Sequence, residues 1–450
     1  MLAHHYAEAA RPEDADLAWA GEERELARLR AQAAAWLERA ADLAVRRCDV
    51  DEALAYLHRA LEYVDATDAQ ARLWRTIGGA NAVKFDGEAF LEAMQRALEL
   101  GDDDQTGGVY SDLVFHTSIR SGMWRSRPKD ALVEGWIAEA LARTPPESPA
   151  HIRALIAHAH WKQDDESARQ ASRRAEPLGD PALRSYAWMG RASTALYDLR
   201  LEEADMWAQR RFDLIPDIDD PDHLLEMHET AIPTTSALGR FGEARRLAQR
   251  HAEIASRLTP HHRLHGVAFA AEVEEAAGGW GSIHEMLETV ENAVAANADT
   301  PCVRSPRTLL LCATASLISG DRAEAEQLEA AANELGFHSH RWALVGPHMR
   351  LALLRGERDA LAELLELHGP HGATFGVAEL GVRLDAFILL GDYERIEAEA
   401  PGLLKRGTYL EPFALRALGA ARNDAALLAE ADERLLPSGS TGIARRPRGS

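Results

Sequence analysis

The chain has 450 residues, with 50 Lys and Arg against 72 Asp and Glu, a formal net charge of -22. Counterion-driven attachment to phosphate backbones needs clustered Lys and Arg, so this balance argues against a protein that coats nucleic acid. Hydrophobic residues make up 46%, enough for a core and against long disorder outside the ends. Length divided by about 150 suggests three domains, a prior that fails for arrays grown by stacking one small unit. The lysines are Lys84, Lys129, Lys162 and Lys405; none follows a glycine, which excludes a P-loop. Three cysteines, Cys48, Cys302 and Cys312, form no C-x-x-C pair, which fits a reducing cytosol better than a disulfide framework. The opening residues lack the basic start and apolar stretch expected of a signal peptide, and the apolar run from Leu309 to Ile318 is too short to span a bilayer.

In chain order, nearly every segment has helical period, and no alternating strand stands out. Stretches of about 12 to 18 residues rich in Ala, Leu, Arg and Glu are divided by short breaks, among them Asp65 to Asp68, Pro145 to Pro149, Gly179 to Pro181 and Thr259-Pro260. Cys48 followed by Ala53, Leu57 and Ala60 is a weak copy of a helical hairpin. Trp74-Arg-Thr-Ile77-Gly78, with Met94 and Ala97 on the next helix, matches the opening of the tetratricopeptide unit, a hairpin of about 34 residues. Gly101 to Gly108 reads as an irregular stretch. Ala168, Ala171 and Ala175 form another weak copy, and Leu199 to Ala204 starts a third. A Gly with a small or apolar residue five positions later marks inter-helix turns at Gly239, Gly320, Gly356 and Gly391. The gaps between these glycines are 81, 36 and 35 residues, the first fitting two repeats and the others one each. Ala296 to Pro306 reads as a second irregular stretch, and residues 436–450 as a disordered basic tail.

Candidate chemistry is sparse. His261 and His265 sit at i and i+4 of a helix and have the spacing to share a metal, but no H-E-x-x-H order is present. The Thr259-Pro260 context suggests a helix start facing solvent. His158 and His160 fall on different faces of one helix. Asp102 to Asp104 and Asp219, Asp220 and Asp222 do not complete D-D-x-x-D and read as turns and N-caps. No calcium loop or G-x-S-x-G elbow is present. The sequence thus assigns no catalytic, cofactor-binding or metal-ligating residue, and no cofactor.

Specific strings carry a further likeness. His4-His5 through Trp19, Glu22 to Ala27, Trp36 to Ala41, Leu214 to Asp222 and Ala237 to Ala244 resemble the C-terminal helical-repeat region of large actinobacterial class III adenylate/guanylate cyclases. Such proteins carry a cyclase domain, an AAA/STAND-type ATPase domain and then the repeats. The resemblance covers about residues 2 to 435 and implies that the catalytic and Walker residues lie before Met1, so none is carried onto this chain. Met1 opens directly on a helix-like segment, and the expectation is a fragment, split gene or internal start. The Ala- and Arg-rich, Lys-poor composition agrees with a high-GC source.

The expected fold is all-α, a TPR-like α-solenoid, a superhelix of about ten antiparallel hairpins. It divides into N-terminal helices and first repeats over 1–100, middle repeats over 101–296, C-terminal repeats over 297–435 and the tail 436–450. The expected function is a non-catalytic, cytoplasmic interaction and regulatory scaffold, with a protein or peptide in a concave groove and cyclase and ATPase domains as partners in cis or trans. No direct nucleic-acid or membrane partner is expected, and the negative charge points to a basic or apolar partner. The alternatives are the sensor region of a STAND-type, LuxR-like transcription regulator, for which residues 436–450 are too few to form the DNA-binding domain, and an all-α enzyme.

Overall fold

A helix that reverses into a partner leaves its last carbonyls without intrahelical donors, and a left-handed residue lets the chain turn back to satisfy them. Ten residues do this: Cys48, Phe85, Gln163, Leu199, Gly239, Gly278, Gly320, Gly356, Gly391 and Asn423, with φ between +52 and +98°. At each, the next residue's N–H donates to the carbonyl five residues before it, from Asp49 to Ala44 (2.9 Å) through Asp424 to Gly419 (2.8 Å). That next residue is often Asp and caps the second helix: Asp86 accepts from the Ala89 N–H, Asp164 from Ser167 and Asp321 from Glu324. Five residues after the turn, a side chain is fully buried between the helices at nine of the ten, Ala53, Ala168, Ala204, Ala244 and Ala325 among them. The computed structural model describes residues 2–11, 18–300, 302–367 and 377–435, which form twenty-four α-helices and no strand. The expected tail 436–450 lies outside the described residues, as do 12–17 of the opening string.

Two compact units are present. The first comprises Met1–Trp124, Pro128–Ala187 and Asp220–Asp222. It holds α1 (Leu2–Ala9), α2 (Glu23–Arg46), α3 (Val50–Leu61), α4 (Thr67–Lys84), α5 (Gly87–Leu100), α6 (Asp103–Ile119), α7 (Asp130–Arg143), α8 (Pro149–Lys162), α9 (Asp165–Ala175) and α10 (Pro181–Tyr197) as far as Ala187. The tetratricopeptide signature is met in space: a Cβ on Gly78 of α4 would lie 2.7 Å from Met94 Cε of α5. The expected irregular stretch Gly101 to Gly108 is instead the start of α6. Asp102 caps it by accepting from the Gln105 N–H at 3.0 Å. Gly107 sits where a Cβ would lie 2.8 Å from the Arg143 carbonyl, so it permits close helix approach and does not break the helix. The stretch Ala296 to Pro306 is irregular only between α-helices that end at Ala296 and begin at Arg304.

The second unit comprises Arg125–Arg127, Trp188–Asp219 and His223–Ser450. After α10 come α11 (Leu201–Arg211), α12 (Pro221–Ala237), α13 (Phe241–Ala255), α14 (Pro260–Ala277), α15 (Trp280–Glu285), α16 (Leu287–Ala296), α17 (Arg304–Ser319) and α18 (Arg322–Glu334). They are followed by α19 (Arg341–Arg355), α20 (Arg358–Leu367), α21 (Ala378–Leu390), α22 (Tyr393–Leu403), α23 (Leu410–Arg422) and α24 (Ala425–Leu435). Gly278 divides the 81-residue gap, as two repeats require. The first helix of each pair lies inside: every residue of α17 from Ser305 to Ser316 is buried. Hairpins late in the chain return to early ones. Tyr409 N–H donates to the Ala237 carbonyl at 3.0 Å, and one apolar cluster joins Leu196, Leu201 and Leu238 to Leu384, Phe387 and Leu418. The interior is polar as well. Arg307, 1% exposed, donates to the Ala343 carbonyl (2.8 Å), to Glu379 (3.2 Å) and to Glu275 (3.4 Å), and Arg350 donates to Glu275 (3.3 Å).

Gly239 turns at φ +71°, where a β-branched side chain is strained whatever space surrounds it. Gly239→Val is expected to destabilise the chain by about 1–3 kcal/mol. A melting curve unchanged from wild type would reject this turn.

Candidate functional site

Side chains from the inner faces of the first unit converge on a cleft of about 370 Å³. Apolar walls come from Val45, Val83, Leu183 and Phe115, the last packed edge-on to Tyr186 at 5.0 Å. The floor is charged. Asp112 of α6 accepts from Arg75 Nε at 2.6 Å and pairs with Arg153 of α8 at 3.2 Å. Burial alone would raise the Asp112 carboxyl, but Arg153 and Arg75 outweigh it and hold it below its ordinary value. Two turns on, Arg120, just past the end of α6, donates to Asp222 and, at 3.1 Å, to His116 Nδ1, which puts the neutral ring's proton on Nε2. Burial, then the charge of Arg120, lowers the His116 pKa to about 3. Cys48, at its left-handed turn, has its thiol pushed up to about 11 by burial and then by Asp222 and Asp220, so it stays protonated.

Asp180 and Asp220 complete the acidic side of the cleft. Both are also helix-start residues, Asp180 accepting from the Leu183 N–H and Asp220 from the Asp222 N–H, each at 3.0 Å. The N-cap reading of the acidic clusters therefore holds for Asp102 and Asp220. With His116 neutral, four carboxylates face two guanidiniums in the lining, which favours a cationic occupant.

His116 has a pH consequence. Its folded pKa of about 3 lies below the ordinary value near 6.5, so the unfolded chain takes up the proton first. The stabilising contribution is present above about pH 6.5 and is lost as pH falls towards 3. His160, lowered to about 4 by desolvation, acts in the same direction. His116→Gln is expected to flatten the decline of melting temperature between pH 6 and 4 (about) relative to wild type. An identical decline in the variant would refute this assignment.

The histidine pair set aside in the sequence is placed differently from the expectation. Thr259 does cap α14, but His261, His262 and His265 are 3%, 3% and 9% exposed, because α14 is an inner helix covered by its neighbours. His265 Nδ1 meets Glu229 Oε1 of α12 at 2.8 Å, His251 Nε2 of α13 meets the same oxygen at 3.1 Å, and His265 Nε2 lies 3.6 Å from Cys302 Sγ. His158 and His160 are not brought together: His158 Nδ1 pairs with Ser167 Oγ at 2.7 Å, while His160 is half-buried.

No family model matches the chain, and no curated protein matches it. Solved structures do. A Rap protein complexed with Competence and Sporulation Factor aligns over 82% of this chain and 99% of its own, at 10% identity and a TM-score of 0.52. Yeast Tom70 aligns over 92% of each chain at 14% identity, with a TM-score of 0.33 that carries no weight. Together with the ten shared turns, the Rap alignment defines the class: this chain is an all-α, TPR-like α-solenoid. No helix among the described residues is long and apolar enough to cross a membrane.

Proposed function

We propose that this chain is a non-catalytic protein-interaction scaffold that captures a basic, partly apolar peptide segment in the cleft of its first unit. The observation that carries this reading is the cleft itself: apolar walls, an acidic majority, and arginines already engaged with Asp112 and Asp222. The inner space of the second unit, by contrast, is filled by Arg307, Glu275 and Glu379. A Rap protein of the same fold class has been solved complexed with Competence and Sporulation Factor, which supports ligand capture as a use of such an array. The acidic lining and the net charge of -22 favour a cationic partner whose association slows with salt.

The test is a peptide-array screen with the full chain, followed by fluorescence titration of the best binder. Sequences rich in Lys and Arg with interspersed apolar residues are expected to be enriched. Asp180→Asn with Asp220→Asn should weaken binding about tenfold, a loss near 1.4 kcal/mol, without lowering the melting temperature by more than a few degrees. Binders without basic residues, or affinity indifferent to both substitutions and salt, would overturn the reading. In the cellular setting, the resembling strings support a cytoplasmic regulatory role beside cyclase and ATPase domains, in cis or in trans. Cyclase and ATPase coding sequence immediately upstream in frame would support the cis arrangement, and unrelated neighbours would reject it.

A further inference from the structure

The second unit brings together three donors that have no part in the cleft. His261 and His265 project from successive turns of α14, and Cys302 comes from the segment just before α17. Their ligand atoms all lie within 4.8 Å of one another. The His261 and His265 ring centroids are 4.4 Å apart at 50°. Zinc bound tetrahedrally at about 2.0–2.1 Å from imidazole nitrogen and about 2.3 Å from sulfur holds such donors about 3.6 Å apart. The separation of His265 Nε2 from Cys302 Sγ is 3.6 Å.

Behind the donors stands the support that a metal-bound imidazole ordinarily has. Glu229 Oε1 meets His265 Nδ1 at 2.8 Å, so that nitrogen keeps its proton and Nε2 is turned towards Cys302. The same oxygen meets His251 Nε2 at 3.1 Å, which fixes the carboxylate. Charge also balances: a Cys302 thiolate and the Glu229 carboxylate bring two negative charges against a dication, at a place where a lone buried charge is costly. The Cys–His–Glu order equally suits a nucleophile, but Cys302 is 1% exposed, which denies a substrate access to sulfur.

We propose that His261, His265 and Cys302 form a zinc-binding site, with Glu229 as the positioning residue for His265. Binding takes His265 Nε2 and Cys302 Sγ in their deprotonated forms and leaves the fourth coordination position to a small ligand such as water. The site ties the start of α14 to the segment that leads into α17, and through Glu229 to α12.

The experiment strips the full chain of metal and titrates it with Co(II), then with Zn(II). Wild type is expected to take up one equivalent with a thiolate-to-cobalt charge-transfer band, and Zn(II) should raise its melting temperature. Cys302→Ser should abolish the band, since Cys48 and Cys312 lie elsewhere. His261→Gln should weaken binding at least tenfold, and Glu229→Gln about 10- to 100-fold. A folded, metal-free wild type without a charge-transfer band, or a band that survives Cys302→Ser, would overturn the proposal. Should the variants fail to fold, X-ray absorption of the zinc-loaded wild type decides: one sulfur with nitrogens in the inner shell supports the site, and a sulfur-free shell sinks it.

Discussion

Replacing Arg307 with Ala is expected to cost about 3–5 kcal/mol, the range for breaking a buried ion pair by removing one partner. The side chain is 1% exposed and reaches three carboxylates, of which Glu275 and Glu379 are 4% and 1% exposed. Burial by itself would disfavour the guanidinium's charge. The charges of Glu275, Glu379 and Glu272 outweigh that and raise its pKa, so a charged Arg307 is an integral part of the interior. Without it, Arg350 still serves Glu275 at 3.3 Å, but Glu379 loses its contact with Arg307, and the Ala343 carbonyl loses a 2.8 Å donor. Chemical denaturation of the variant measures the loss, and a change below about 1 kcal/mol would show that water replaces the side chain. Removing the charges together, as Arg307→Met with Glu379→Gln, should recover part of the stability, because no uncompensated charge then remains at that pair.

The second large effect is at Phe90, five residues after the turn at Phe85. Most hairpins carry Ala, Ile or Leu at that position, so a reader of the repeat pattern would expect Phe90→Ala to be harmless. The packing says otherwise. Phe90 is fully buried in a cluster with Met94, Leu113, Met123 and Trp124, and its ring meets that of Trp124 edge-on at 6.2 Å. Truncation leaves a cavity that a rigid helical pair cannot close, for an expected loss of about 3–5 kcal/mol. A thermal or urea melt that matches wild type would mean that α5 shifts to fill the space.

Phe85 and Phe90 also explain how far the sequence could be read. The turns at Gly239, Gly320, Gly356 and Gly391 were legible because glycine is the usual occupant of a left-handed position. Those at Cys48, Gln163 and Leu199 left traces through the alanines that follow them. At Phe85 and Asn423 the glycine itself is replaced, so the turn carries no glycine signal; the first hairpin was legible through Trp74, Gly78, Met94 and Ala97, and the second is revealed by its backbone hydrogen bonds. Gly107 misled in the opposite direction: two glycines after three aspartates resemble a loop, whereas Asp102 is a cap and Gly107 a contact with the next helix.

The candidate sites were less legible than the fold for a simple reason. A fold made of one repeated hairpin announces itself by spacing, but the cleft gathers Cys48, Asp112, Arg153, Tyr186 and Asp222 from separate hairpins, at no fixed interval. The histidines of α14 had a readable i, i+4 relation. What could not be read was Glu229 behind them and Cys302 opposite, or that a helix start is buried when its helix lies inside the array.

The return of Tyr409 onto Ala237 changes how the second unit should come apart. An open row of hairpins frays from its last member, each losing only one neighbour. Here the terminal pair α23–α24 is fastened to an early one, so peeling it away also uncovers Leu196, Leu201 and Leu238. The unit behaves as a clasped bracelet: opening the clasp strips protection from both ends at once, and amide exchange should therefore be slow in Leu410–Arg422 as well as in the middle of the row.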